Sequence, residues 1–171
     1  GVGQARYIVP DVVVEKVGDD YVVTPCDSAS PRLIINSAYR AMLSDTGTDA
    51  TARDFIRERL NSAAWLIRAL GQRRDTIAKV ATSIVSHQRD FFDRGILHLR
   101  PLTLREVAVD IDMHESTVSR ATAGKYAQTP RGTFELRFFF GSGVSTSDGD
   151  TASAASIKKY IKEMIASEDA K

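Results

Sequence analysis

Two short runs of β-branched and aromatic residues near the N-terminus predict strands. The run VVV occupies positions 12–14 and the run YVVT occupies positions 21–24, and Gly18-Asp19-Asp20 between them favours a tight turn. We therefore expect a β-hairpin from Asp11 to Pro25.

The next segment is mainly polar. Arg32 to Ile35 predicts a short extended stretch, and Ala38 to Leu43 predicts a helical turn. Ser44 to Thr51 is rich in Ser, Thr, Asp and Gly, which is typical of a loop, and either Asp49 or Thr51 suits the N-cap of a following helix. We expect a boundary near Asp49.

A regular apolar repeat follows this boundary. One row recurs every seven residues at Ile56, Ala63, Leu70, Ile77, Ile84 and Phe91, and an intermediate row contains Leu60, Ile67 and Ala81. Because the phase continues through Gly71, one long helix over residues 49–95 is favoured over a helical hairpin broken at Gly71-Gln72. At about 1.5 Å per residue this helix is on the order of 60 Å long, so part of it must face a partner, DNA or other regions of the parent protein.

The residues after Gly95 predict a helix-turn-helix from Thr103 to Gly124. Gly95 ends the long helix, Pro101 prevents its resumption, and Thr103 with Glu106 has the pattern of a capping box. The positions that face inward in such a motif are all apolar: Val107, Ala108, Ile111, Met113, Val118 and Ala121. Asp112 stands in the turn, where glycine is common, and aspartate tolerates a left-handed backbone. The alternative is an ordinary pair of packed helices.

The outward positions at the start of the second helix are polar and suit DNA contact. They are His114, Glu115, Ser116, Ser119 and Arg120. Such side chains bond to base edges and phosphates, and a guanidinium can bind guanine with two hydrogen bonds. Residues 53–105 also carry eleven basic and five acidic side chains, an excess of six positive charges. That excess fits either a surface that faces phosphates or a solvated helix face.

The C-terminal third predicts an apolar segment, a loop and a helix. Phe134 to Phe140 is strongly apolar and must pack, but its secondary structure is ambiguous. Gly141 to Ser153 has the composition of a flexible loop, and Ala154 to Ser167 places Ile157, Ile161, Met164 and Ile165 on one helical face. The expected fold is mainly α: an N-terminal β-hairpin region, one long helix, and a helix-turn-helix domain with a C-terminal helix. The expected units are 1–48, 49–95, 96–140 and 141–171.

The composition argues against several other classes of protein. The apolar runs are too short for a membrane span and the N-terminus has no signal-peptide pattern, so we expect a cytoplasmic protein. Cys26 is the single cysteine, and His87, His98 and His114 lack the spacing of metal ligands. The sequence contains neither a GxxxxGK[ST] phosphate loop nor a GxSxG elbow. We expect no metal, no cofactor, no small-molecule substrate and no enzymatic activity.

Several longer motifs resemble one family. Met113 to Arg120 reads MHESTVSR, Lys125-Tyr126 follows, and Thr129 to Phe139 reads TPRGTFELRFF. These motifs resemble the bacterial sigma-54 family of transcription initiation factors. The resemblance extends over nearly the whole chain, through AWLI at 64–67, QRRDTI at 72–77 and YIVPD at 7–11.

The resemblance implies a factor that binds core RNA polymerase and promoter DNA and stays silent until an ATP-dependent, enhancer-binding activator remodels the complex. Residues 1–48 would end the polymerase core-binding domain, 49–95 would be the family's extra-long helix, and Thr103 to Gly124 would read the promoter element nearer the start site. Lys125 and Arg131, within the matched motifs, join the expected DNA-binding residues. Arg73 matches a position linked to keeping the complex silent, although it also fits a solvated surface.

The sequence departs from the family pattern at both ends. No glutamine- and leucine-rich activator-responsive segment precedes Gly1, and the closing ARRTVAKYR signature does not occur before Lys171. We therefore expect a fragment with reduced promoter affinity. Two rival interpretations are a generic helix-turn-helix repressor, which would dimerise on a palindrome, and an interaction module whose helices only pack.

Overall fold

The structure is a computed structural model that describes residues 8–27, 32–141, 143–145 and 151–168. Its strands are β1 Val12–Val17, β2 Asp20–Pro25, β3 Tyr126–Thr129, β4 Gly132–Glu135, β5 Gly143–Ser145 and β6 Thr151–Ser153. Its α-helices are α1 Ser37–Ser44, α2 Ala50–His87, α3 Arg89–Arg94, α4 Leu104–Asp110, α5 Glu115–Thr122 and α6 Ala154–Glu168. Short 3₁₀ turns occupy Ile96–His98 and Leu136–Phe139. The mainly α fold with an N-terminal hairpin, a long helix and a helix-turn-helix is confirmed.

The predicted hairpin is present and is extended by two strands from the other end of the chain. Val12 pairs with Pro25 and Val17 pairs with Asp20 in the antiparallel β1–β2 ladder, and Gly18 in the turn has a φ of +63°. The four strands lie in the order β2-β1-β3-β4. The central pair, β1 with β3, is parallel, and a parallel pair needs a long crossover connection, which the helices between the two strands supply.

Asp11 fixes the register of this parallel pair. Its backbone N–H donates to the carbonyl of Tyr126 over 2.8 Å, and its Oδ2 accepts from the Tyr126 N–H over 3.0 Å. Its Oδ1 accepts from Lys125 Nζ, also at 3.0 Å, and both side chains are largely buried. The carboxylate thus binds a backbone donor and a cation at the point where β3 begins.

Asp49 caps α2, as predicted. Its Oδ2 accepts from the Thr51 N–H over 3.2 Å, and the helix then runs without a break through Gly71. Within the described residues, the first part of the helix packs against α1 and the segment before it, and the buried residues of the helix lie from Ile77 onward. The N-terminal half therefore leaves large apolar side chains exposed, including Phe55 and Trp65.

The prediction that the long helix continues to Gly95 is wrong, because α2 ends at His87. Gln88 leaves helical geometry with a φ of −103° and a ψ of 23°, and the short helix α3 then runs to Gly95. The reason is long-range: the Gln88 side chain is completely buried and binds the backbone of Arg100 at both N–H and carbonyl, over 2.9 and 2.8 Å, and the Phe139 carbonyl over 3.3 Å. Gly95 does end the helical region, with a φ of +100°.

The core lies between the second half of α2, the sheet and the helix-turn-helix. Its centre is an aromatic cluster in which the rings of Phe91 and Phe139 meet edge to face, with centroids 5.4 Å apart. Phe92, Phe134 and Phe138 surround this pair. The apolar segment whose secondary structure was ambiguous in sequence is therefore β4 followed by a 3₁₀ turn, and it fills the core.

The C-terminal region contains a hairpin where the composition predicted only a loop. β5 and β6 pair antiparallel, with Val144 opposite Ala152. Positions 142 and 146–150 of the predicted loop lie outside the described residues. α6 is present as predicted and packs near the 3₁₀ turn Ile96–His98, while Ile161 and Ile165 on its apolar face are about half exposed. No helix in the described ranges combines the length and apolarity that a bilayer span requires.

Replacing Gln88 with leucine should destabilise the protein by about 2–4 kcal/mol, because it leaves the buried backbone groups of Arg100 and Phe139 without partners. The free energy of unfolding from urea denaturation measures this loss. The matched control is Gln72→Leu on the exposed part of α2, which should change stability by less than about 0.5 kcal/mol. Equal stabilities for the two variants would contradict the structural role of Gln88.

Candidate nucleic-acid interface

The helix-turn-helix forms as its sequence predicts. Thr103 and Glu106 complete the capping box of α4: Thr103 Oγ1 accepts from the Glu106 N–H over 3.2 Å, and Glu106 Oε2 accepts from the Thr103 N–H over 2.7 Å. Asp112 in the turn has a φ of +52°, the left-handed conformation expected of it. The Met113 N–H donates to the Ala108 carbonyl over 2.9 Å, which closes the turn.

The predicted inward positions form the contact between the two helices. Val107 and Val118 are completely buried and Ala108 nearly so. Ile111, Met113 and Ala121 are partly buried. The small side chain of Ala108 lets α4 and α5 approach closely. This packing fixes the orientation of α5 relative to α4.

A carboxylate joins α4 to the long helix. Asp110 Oδ2 accepts from Ser83 Oγ over 2.9 Å and lies 2.6 Å from His87 Nε2. The hydrogen bond with His87, followed by the one from Ser83, holds the pKa of Asp110 below its ordinary value. Serine and histidine both bind the same carboxylate oxygen rather than each other, so this is not the arrangement that activates a serine nucleophile. The Asp110 contacts fix the helix-turn-helix on α2, and the sequence patterns gave no sign of them.

The outward face of α5 carries the residues expected to contact DNA. His114, Glu115 and Arg120 are exposed, while Ser116 and Ser119 are partly covered. His114 is the N-cap of α5, and its Nδ1 accepts from the Ser116 N–H over 3.1 Å. Arg120 lies one turn along the helix, with Nη2 at 3.3 Å from Ser116 Oγ. The structure therefore brings these five side chains together on one exposed helix.

Lys125 and Arg131, the two other expected DNA-binding residues, make contacts inside the protein. Lys125 is ion-paired with Asp11 and retains 22% of its side-chain exposure. Arg131 Nε donates to the Phe92 carbonyl over 2.9 Å, and its Nη2 donates to the Asp93 carbonyl. The guanidinium thus satisfies carbonyls at the end of α3 that the helix leaves unpaired. The geometry gives both residues a structural task, separate from the face of α5.

Some of the basic side chains of residues 53–105 form contacts within the protein, and others are exposed. Arg57, Arg74, Arg89 and Arg100 form ion pairs, and Arg53 binds backbone carbonyls. Arg73 is exposed on α2 and forms no hydrogen bond or ion pair within the described part of the chain. Its neighbour Arg74 pairs instead with Asp27. No group of three or more His, Cys, Asp or Glu side chains among the described residues is arranged to hold a metal ion.

Two sequence profiles of one family match this chain. The profile described as "Sigma-54, DNA binding domain" matches residues 53–171, and the one described as "Sigma-54 factor, core binding domain" matches residues 2–39. The chain belongs to the sigma-54 family. The resemblance of the motifs around α5 is thereby confirmed.

Individual members of the sigma-54 family align with almost the whole chain. The RNA polymerase sigma-54 factor of Pseudomonas aeruginosa is 45% identical over 170 residues, which are 98% of this chain and 34% of that protein. The factor of Escherichia coli K12 is 40% identical over 167 residues, which are 98% of this chain and 35% of that protein. The chain thus spans about a third of the length of the curated relatives it matches.

A solved structure supports the same assignment of fold. The chain resembles Aquifex aeolicus sigmaN, crystallised bound to promoter DNA, with a TM-score of 0.66 and 28% identity. The match covers 95% of this sigma-54 family chain and 48% of that one.

Asp110→Asn should make stability less dependent on pH. Because the folded-state pKa of Asp110 is lowered, its carboxylate contributes stability that is present above the ordinary carboxyl pKa of about 4 and is lost as the pH falls through the folded value. We expect the variant to be less stable than the wild type at pH 7, and the two stabilities to converge below about pH 4. Denaturant unfolding at a series of pH values measures both.

The matched control is Asp112→Asn, two residues away. Asparagine tolerates the left-handed backbone there, and the Asp112 carboxylate makes no hydrogen bond within the described residues. The free energy of unfolding of Asp112→Asn should stay close to that of the wild type across the same pH range. A constant gap between Asp110→Asn and the wild type at every pH would show that the contacts with His87 and Ser83 do not stabilise the charged form.

Proposed function

We propose that this chain is the part of a sigma-54-type transcription initiation factor that binds core RNA polymerase and reads the promoter element nearer the start site. In this proposal the complex stays silent until an ATP-dependent, enhancer-binding activator remodels it, and the activator acts mainly through regions outside this chain. The chain itself catalyses no reaction, uses no cofactor or small-molecule substrate, and works in the cytoplasm without a membrane.

The observation that carries the proposal is that α5 is buried on one side and exposes its polar residues to solvent on the other. The inward side of α5 is completely buried at Val118 and Thr122, while His114, Glu115 and Arg120 face solvent. The capping box at Thr103 stabilises the start of α4, and the Asp110 contacts with α2 fix the helix-turn-helix against the long helix. A helix held in this way can enter the major groove without reorganising, and its polar side chains reach base edges.

The residues of α5 suit different parts of a DNA site. Arg120 is the first choice for base contact, because a guanidinium can bind guanine N7 and O6 together. Glu115 and Ser119 come next, as partners for cytosine amino groups or for either kind of base edge. His114 and Ser116 stand at the N-terminus of the helix, where backbone N–H groups and the positive end of the helix dipole attract phosphate. Because Lys125 and Arg131 are bonded within the protein, we assign them to holding the motif in place rather than to DNA.

The N-terminal half of α2 is the part of the chain we assign to protein contacts. Phe55, Trp65 and Leu66 are exposed there, and a groove of about 440 Å³ runs between this half of the helix and the segment from Leu33 to Tyr39. The core-binding profile ends at residue 39, beside this groove. Core polymerase and the rest of the parent factor are the partners proposed for this surface. Arg73 lies further along the same helix, and we retain for it the regulatory role that its motif implies.

Promoter preference tests the proposal directly. We expect the chain to bind a duplex carrying a sigma-54-type promoter more tightly than a scrambled duplex at near-physiological salt, in a fluorescence anisotropy titration. Salt matters because electrostatic binding to any DNA is strong only at low ionic strength. Equal affinity for both duplexes would contradict promoter reading by this chain, and a dimer on the duplex in sedimentation experiments would favour the generic repressor.

Arg120→Ala should lower promoter affinity by about 1–3 kcal/mol and reduce the preference over scrambled DNA, since a base contact is lost. The control is Arg57→Ala. Arg57 lies 30 residues before the end of α2, roughly 45 Å away along the helix, and pairs with Asp54. The control should bind the promoter as the wild type does. Identical titrations for Arg120→Ala and the wild type would remove Arg120 from the interface.

A further inference from the structure

The N-cap of α5 determines where the proton of His114 resides. Its Nδ1 lies 3.1 Å from the Ser116 backbone nitrogen, and a backbone N–H can only donate. Nδ1 is therefore the acceptor and carries no proton, so a neutral His114 carries its proton on Nε2. The protonated imidazolium has no free lone pair and could not cap the helix.

The protonation of His114 in turn sets the direction of the Ser116 hydroxyl. Ser116 Oγ lies 2.8 Å from the same Nδ1, so the hydroxyl donates a hydrogen bond to this nitrogen, whose lone pair it shares with the Ser116 N–H. The oxygen lone pairs of the hydroxyl are then left to accept, and Arg120 Nη2 donates to them over 3.3 Å. The result is a directed chain of hydrogen bonds from Arg120 through Ser116 to His114.

The hydrogen-bonded side chains of His114, Ser116 and Arg120 lie along the middle of the exposed face of α5. Ser116 and Arg120 are four residues apart, one turn of helix, on the side opposite the buried Val118 and Thr122. Glu115 is exposed beside it and has no hydrogen bond within the described residues. Ser119 is on the same helix; its backbone carbonyl accepts from Thr122 Oγ1 over 3.0 Å, and its hydroxyl has no hydrogen bond within the described residues.

We infer that Ser116 is a positioning residue for Arg120: its hydroxyl, oriented by His114, restricts the arginine to the outward direction it needs to reach a base edge. The inference rests on the proposed function, in which Arg120 reads the promoter. An arginine side chain loses much rotational freedom when it is fixed on DNA, and a hydrogen bond already present in the free protein reduces that loss. The network thus adds to specificity without Ser116 itself touching a base.

A double-mutant cycle separates positioning from direct contact. The four proteins are the wild type, Ser116→Ala, Arg120→Ala and the double variant, each titrated with promoter and scrambled duplexes. We expect Ser116→Ala to reduce the promoter preference about threefold to tenfold, and to have almost no further effect once Arg120 is alanine. Ser116→Thr, which keeps the hydroxyl, should restore most of the preference. Additive losses, or an unchanged preference in Ser116→Ala, would overturn the inference.

Ser119→Ala is the matched control on the same helix. Since the Ser119 hydroxyl has no described bond to Arg120, its effect should add to that of Arg120→Ala. Circular dichroism of every variant checks that α5 remains folded. A lack of promoter preference in the wild type would instead overturn the proposed function, and the inference would fall with it.

A measurement on the free protein tests the network without DNA. ¹⁵N NMR of the neutral His114 ring should show the tautomer protonated at Nε2, and relaxation of the Arg120 side chain should show greater motion in Ser116→Ala than in the wild type. A ring protonated at Nδ1, or an Arg120 whose motion is unchanged by Ser116→Ala, would show that no such network exists.

Discussion

The parallel pairing of β1 with β3 is the constraint on which the rest of the structure depends. It joins Asp11 to Lys125 and Tyr126, across 114 and 115 residues of sequence. The two family profiles divide the chain at residues 39 and 53, yet the sheet crosses that division and one core contains Val12 and Val14 with the helix-turn-helix. The hairpin matched by the core-binding profile is therefore also a structural part of the region matched by the DNA-binding profile. A shift of the hairpin would move the strand that directly follows α5.

The same constraint divides α2 into two halves with different tasks. From Ile77 onward the helix packs against the core, and Asp110 of α4 binds to it through Ser83 and His87. Before Ile77 the helix extends beyond the core, and in the part of the chain that the structure describes it packs against α1 and the preceding segment. One continuous helix therefore connects the exposed region near Phe55 with the residues that bind Asp110 of the helix-turn-helix. This layout links the surface proposed for protein contacts to the one proposed for DNA.

Features set by neighbouring residues were predictable from the sequence, and features set by distant contacts were not. The capping box at Thr103, the left-handed Asp112 and the Asp49 cap each depend on residues within a few positions. The end of α2 depends on the hydrogen bonds of Gln88 with the backbone of Arg100 and Phe139. The spacing of apolar residues in the sequence contains no information about these distant contacts. The heptad row included Phe91 but gave no account of Phe92, which is also buried. For the same reason the sequence did not reveal that the hairpin and β3 share a sheet.

The internal contacts of Lys125 and Arg131 change what kind of DNA binding the chain can provide. With both cations engaged inside the protein, Arg120 is the exposed cation of α5, and Glu115 on the same helix offsets its charge. Affinity for DNA of any sequence grows with the number of phosphates neutralised, so this helix supplies little of it. The role proposed for its polar side chains is instead to form hydrogen bonds with base edges, which distinguish one base pair from another. In the proposed function such a helix would be selective but weak on its own, and it would gain affinity when polymerase holds it on the promoter, because the second contact is then effectively intramolecular.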